Sequence, residues 1–409
     1  MKNLSVILFA ITLLIAVSCK ENEIDDPKVI DVNEKSELLI LETNEFGLDM
    51  FRLINNYETD NFTISPLSVA LALAMTYNGA EGETKIAMEK AMRLWGLTTE
   101  EINASYQSLT KALLEADPKV TLEIAQSIWY KQNYNVLKGF KSVNETYYDA
   151  EVKELDFSRP DAKDVINKWI EDKTHNKIKD MIKEVNPLHV MFLVNAVYFN
   201  GVWQSEFKKS DTFKSDFYKE DGTKLEVDMM KKKDTVNYFY NDQFKDLFTA
   251  VELPYGRGNF NMVILLPGEN KTCNDVIEKM TPDNWHIWMD SFRNKDEVSV
   301  WLPKFKDEYK IKLNDVLTEM GMGIAFNGKA DFSGINGEGG IYIDYVQHNT
   351  FIDVNEKGTE AAAATVVAIK EMAALPENEF HVNKPFIFAI TEKETNAILF
   401  IGKMKEPKY

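Results

Sequence analysis

Side chains that carry chemistry are present in this chain, but not in working arrangements. The five histidines are dispersed. There is no Gly-x-Ser-x-Gly elbow, no His-Glu-x-x-His pair and no Walker loop, so these sequence signatures of nucleophilic, zinc-dependent and nucleotide-driven catalysis are missing. No catalytic residue, metal site or cofactor is assigned. The segment that stands out instead is Glu356-Lys357-Gly358-Thr359-Glu360-Ala361-Ala362-Ala363-Ala364-Thr365-Val366-Val367-Ala368, and its chemistry is that of the backbone. Its alanines favour helix and Thr365-Val366-Val367 favour strand, which leaves it conformationally undecided. Counted as a strand, one face carries Thr359, Ala361, Ala363, Thr365, Val367 and Ile369, all uncharged and mostly small. The other carries Glu360, Ala362, Ala364, Val366, Ala368 and Lys370. A segment of this kind can stay exposed and later slide between two existing strands, because one face enters a packed interior without charge or bulk.

Elements able to receive it are legible elsewhere. Phe192 to Phe199 is apolar on both faces, which suits a central strand covered above and below. Similar runs are Met262 to Leu266, stopped by Pro267-Gly268, and the closing pair Phe386 to Ile390 and Ala397 to Ile401. Val298, Val300 and Leu302 alternate with Ser299 and Trp301 as in a half-covered strand. Ser65-Pro66 followed by Leu67, Ala70, Leu71, Ala74 and Met75, with Gly79 beyond, predicts a capped, buried helix. The first third reads as mostly helical and the rest as mostly strands, so the class is α+β with large mixed sheets.

Across 409 residues, 44% hydrophobic, the chain can bury a large core, and no linker or repeat divides it, so residues 37–409 read as one domain. The net charge of −18 is spread along the chain and argues against nucleic acid as a partner. Of two cysteines, only Cys273 belongs to this body. No disulfide framework is possible, and Cys273 is assigned no chemistry.

The amino terminus reads as an address. Met1-Lys2-Asn3 and the apolar run Leu4 to Val17 form a signal-peptide core over residues 1–18, too short to span a membrane. Ala16-Val17-Ser18-Cys19 resembles the lipobox at which a bacterial signal peptidase cuts before a cysteine that becomes lipidated, although Leu usually stands where Ala16 is. An ordinary secretory signal is the alternative. The acidic stretch after Cys19, Lys20 to Asp26, resembles the signal that carries lipoproteins to the cell surface in Bacteroidetes-like bacteria, with a solvated tether facing the periplasm as the alternative. Residues 19–36 are then a tether spanning about 20–25 Å. The expectation is an outer-membrane lipoprotein exposed at the cell surface, held to the membrane by a lipid on Cys19.

The motifs of the body resemble those of the serpin family, in family order over residues 38 to 407. They are Asn61-Phe62-Thr63-Ile64-Ser65-Pro66-Leu67-Ser68; Asn78-Gly79-Ala80 with Thr84; Asn167-Lys168-Trp169 with Thr174 and Lys177-Ile178; Asn195 to Trp203; Leu302-Pro303-Lys304-Phe305; and Asn383-Lys384-Pro385-Phe386. Glu356 to Ala364 is similar to that family's inhibitory hinge. Asn176 departs from the family's Gly, which touches only a local turn. The resemblance implies about eight to nine helices on three β-sheets, with an exposed reactive-centre loop at about 356–380. It also maps Ser65, Ser68, Asn195 and His348 onto the shutter beneath the parting sheet, and Trp203 onto the breach at its top.

By that resemblance the chain is a monomeric, irreversible inhibitor of serine proteases, not an enzyme. A target protease attacks the loop, forms an acyl-enzyme and is carried off as the cleaved loop enters the main sheet. Fourteen residues beyond Gly358 lies Met372, which makes Met372-Ala373 the expected bait for elastase-like or chymotrypsin-like enzymes. Lys370-Glu371 is the rival bond and suits trypsin-like ones, while counting back from Asn383 lands nearer Ala374. The competing function is a non-inhibitory serpin acting as a binding or folding-helper protein. Thr359, Ala361 and Ala363 argue against it, since such relatives commonly carry charge or bulk at these positions.

Overall fold

Ser65 begins the helix that the fold is built around. Its hydroxyl accepts the Ser68 N–H, Pro66 occupies the first turn, and in the helix Pro66–Tyr77 every residue except Ala72 is buried. This helix packs against strands of both sheets, Met191–Val202 on one side and Ile398–Met404 on the other. Gly79 follows it for a reason unlike a left-handed cap: a Cβ there would sit 2.2 Å from Ile335 Cγ1, so glycine is demanded by close approach. The computed structural model describes residues 27–30, 32–359 and 378–409.

Two hydrogen-bonded sheets enclose that helix. The six-stranded sheet runs in the order Phe305–Lys312, Gln347–Asn355, Gly358–Thr359, Met191–Val202, Val120–Lys131 and Glu151–Leu155. The nine-stranded sheet runs Phe62–Ile64, Ile398–Met404, Phe386–Glu392, Phe260–Pro267, Phe248–Tyr255, Lys224–Phe239, Phe292–Pro303 and Glu379–His381, with Phe213–Tyr218 beside Lys224–Phe239. The larger sheet has two portions joined by the long strand Lys224–Phe239. Its start pairs with Phe213–Tyr218, its end reaches Val251 and Glu252, and its register against Phe292–Pro303 shifts between Asp234 and Val236. The three sheets of the family expectation are these two portions and the six-stranded sheet.

Ten α-helical segments occur among the described residues, two of them four-residue turns, Asn314–Leu317 and Ser333–Asn336. Six of the longer ones lie before residue 174, in keeping with the helical first third. Asn176 and its neighbour His175 both adopt left-handed backbone, φ 63° and 49°, just past the helix Ala162–Lys173, so Asn takes the conformation that Gly adopts most easily. No described helix is long and apolar enough to cross a membrane.

Candidate functional site: an open strand position

The six-stranded sheet is complete except in one place. Strand Gln347–Asn355 pairs with Phe305–Lys312 over residues 347–354, yet among the described residues only Val354 and Asn355 find partners on its other edge. Strand Met191–Val202 pairs with Val120–Lys131 over residues 191–201, and on its other edge only Gly201 and Val202 are paired. Both partial contacts are made by Gly358 and Thr359. Among the described residues, the facing edges below this point carry no strand between them, leaving backbone donors and acceptors to be met by water or by an arriving chain. The lower part of the gap opens into a cavity of about 440 Å³ lined by Leu193, Asn195, Ile343, Tyr345 and His348 among others.

The top of the gap is held by close packing around the hinge. Gly358 has φ 153°, and a Cβ there would lie 2.0 Å from Gly201 O and 2.7 Å from Val202 Cα. Thr359 is 2% exposed, and its hydroxyl lies 2.6 Å from the Tyr255 hydroxyl. Tyr255 stacks on Trp203 with ring centroids 4.4 Å apart, and burial holds its phenol far above the ordinary pKa, so it stays neutral. Trp203 Nε1 donates to Asn355 O at 2.9 Å. Glu356 accepts from Thr212 Oγ1 at 3.0 Å and faces Lys304 Nζ at 3.2 Å, an ion pair rather than an aligned hydrogen bond, with both side chains buried. Glu356→Lys would set two ammonium groups against each other here, at about 3–5 kcal/mol for breaking a buried pair. The expected result is a lower thermal midpoint and self-association on mild warming, read as a ladder on native gels. An unchanged melt would show that the pair does not hold the top of the gap shut.

Beneath the gap the structure brings Ser65, Ser68, Asn195 and His348 together. Ser65 N–H donates to His348 Nε2 at 3.0 Å, and Ser68 Oγ donates to Asn195 Oδ1 at 2.5 Å. Asn195 Nδ2 is buried with no partner. His348 therefore keeps its proton on Nδ1 and is neutral, and burial pushes its pKa down to about 4. The unfolded imidazole takes up its proton near 6.5 and the folded one only far lower. Its contribution is thus fully present above pH 6.5 and is lost as pH falls toward 4, by about 3 kcal/mol. His348→Gln is expected to flatten the dependence of the thermal midpoint over this range, and a slope matching the wild type would remove His348 from the account.

Other assignments fall elsewhere. Cys19, Glu360, Ala361, Ala362, Ala363, Ala364, Lys370, Glu371, Met372 and Ala373 lie outside the described residues. The described ends of the 356–380 segment are held in different sheets. Gly358–Thr359 joins the six-stranded one, while Glu379–His381 pairs in parallel with Ser299–Trp301 of the other. Cys273 is fully buried, and burial pushes its thiol up to about 12. No group of three metal-ligating side chains occurs among the described residues. Sequence reasoning did not single out Tyr255, Thr212 or Lys304 as partners of the hinge. Only Lys304 stood in a quoted motif, and nothing in its spacing pointed to Glu356.

Among the described residues, the central position of this sheet is filled at one end alone, by Gly358 and Thr359. The family model described as Serpin (serine protease inhibitor) matches residues 41–407. The leukocyte elastase inhibitor of Bos taurus is 36% identical over 383 residues, covering 91% of this chain and all of its own length. The crystal structure of a thermophilic serpin, tengpin, in the native state superposes with TM-score 0.80 at 33% identity, covering 92% of this chain and 95% of that one. A thyroxine-binding globulin in complex with thyroxine superposes with TM-score 0.81 at 25% identity, covering 91% and 100%. The chain belongs to the serpin family, whose members are in general protease inhibitors and not enzymes.

Proposed function

We propose that this serpin is an irreversible inhibitor of serine endopeptidases that works by inserting its cleaved loop between Met191–Val202 and Gln347–Asn355. The observation that supports this most is the pairing of Gly358 and Thr359 with both strands at once. Continuing both registers sets Ala361 between Phe199 and Ile352, Ala363 between Val197 and Thr350, and Thr365 between Asn195 and His348. Small side chains fall where the flanking residues are buried. A hydroxyl falls beside Asn195 Nδ2, the buried donor that lacks an acceptor. Acceptance of the loop thus adds backbone pairing and satisfies a polar atom in one step.

The scissile bond on this reading is Met372-Ala373, with elastase-like or chymotrypsin-like targets, and Lys370-Glu371 the bond for trypsin-like ones. Incubation with pancreatic elastase, chymotrypsin and trypsin separately tests it. An SDS-stable complex with cleavage after Met372 is the supporting result. Cleavage without complex would favour a binding or folding-helper role. The domain on this reading lies at the outer face of the cell, anchored through Cys19, and the tether is shorter than residues 19–36, because Lys28 exchanges hydrogen bonds with Asn259, Ile30 is buried in the core and Ser36 already lies in the helix Glu34–Tyr57. Cys19→Ser is expected to release the protein from the membrane fraction, and a variant that still sediments with membranes would overturn the anchor.

A further inference from the structure

We infer that the cleft between the last turns of helix Glu34–Tyr57 and the turn following helix Gly82–Ala91 is a binding site for small aromatic acids. The cleft encloses about 620 Å³, within the range that accommodates a drug-sized ligand. It shares no lining residue with the cavity beneath the open strand position. Its apolar walls are Leu53, Ala91, Ile277 and Met320, and on its rim stands Trp95, a large flat ring left 52% exposed.

The polar part of the lining offers donors. Arg93 Nε and Nη2 reach Asp49 Oδ2 at 3.1 and 2.7 Å, while Nη1 reaches Glu45 Oε2 at 2.6 Å. Arg52 takes the other oxygen of Asp49. Asp49 is thereby occupied by two guanidinium groups, and the Arg52 side chain still keeps a third of its surface open. A guanidinium can only donate, so what completes it must bring an acceptor, and a planar anion matches it best. Lys90 adds a third cation to the lining, and Asp49, Glu278 and the Glu45 held by Arg93 balance the three, so the place for an anion is made by Arg52 and Lys90 locally and not by a net charge. Arg93 adopts φ 58°, a conformation unfavourable to residues with a Cβ, and its three bonds hold it there. An acid group on the guanidinium of Arg52 with its ring against Trp95 uses both features at once.

The probe is 1-anilinonaphthalene-8-sulfonate, titrated into the full-length protein by fluorescence, with N-phenyl-1-naphthylamine as its uncharged twin. The expected result is a saturable site that binds the anion at least about tenfold more tightly than the twin. Arg52→Gln and Trp95→Ala should each weaken anion binding by a similar factor while leaving the thermal midpoint within a few degrees. Should Arg52→Gln fold poorly, Lys90→Gln takes its place beside Trp95→Ala. Equal binding of anion and twin, or binding indifferent to these substitutions, overturns the assignment and places the dye elsewhere on the molecule.

Discussion

Cleavage after Met372 is expected to raise the thermal midpoint by at least about 10 °C. On the proposed mechanism the thirteen residues from Glu360 to Met372, laid between two strands whose facing edges lack partners among the described residues, add on the order of ten inter-strand hydrogen bonds. At about 1 kcal/mol net each, that is about 10 kcal/mol. Domains of 150–250 residues shift by about 2–4 °C per kcal/mol, and a longer chain by roughly half that. The intact form is then metastable, with the better-paired arrangement withheld kinetically. The two pieces are expected to stay together, since Phe386–Glu392 and Ile398–Met404 are buried throughout. Calorimetry of intact and nicked protein, with gel filtration to confirm one particle, decides the matter. A nicked form melting at the intact midpoint would leave no stored energy to disable a protease.

The second large effect concerns Thr359. This residue is the first of the inward face and already sits 2% exposed against Tyr255, between Gly201 and Val354. Arginine has no partner there, and burying an unpaired guanidinium costs several kcal/mol. On the proposed mechanism, Thr359→Arg is therefore expected to slow insertion so far that the acyl-enzyme hydrolyses first and the chain behaves as a substrate. SDS gels should show the complex reduced at least about tenfold with cleavage retained, while Thr359→Ser keeps the complex because it keeps the hydroxyl. Undiminished complex from the arginine variant would sever the link between loop entry and inhibition.

The elements that sequence reasoning found are those whose signal is local. The cap at Ser65, the doubly apolar run 192–199 and the final pair of strands each follow from a few neighbouring residues, and each stands where its pattern put it. What stayed hidden depends on contacts between distant positions. Tyr255 meets Thr359 across 104 residues, and Lys304 meets Glu356 only because two strands converge at the top of the sheet. The reason for Gly79 was misread as helix capping for the same cause, since Ile335 lies far along the chain. The clustering of Ser65, Ser68, Asn195 and His348 was reached through resemblance alone. Taken singly, Ser65 is a helix cap, and nothing local in the sequence joins Ser68, Asn195 and His348 to it.

The final hairpin carries a further consequence, for synthesis. Phe386–Glu392 and Ile398–Met404 lie inside the nine-stranded sheet, between Phe62–Ile64 and Phe260–Pro267, and Asn44 of the first helix bonds to Asn396 and Ile398. A growing polypeptide thus cannot join Phe62–Ile64 to the rest of its larger sheet until this hairpin has been made. A chain that stops short of this hairpin leaves the facing edges of Phe62–Ile64 and Phe260–Pro267 unpaired and open to association with other chains.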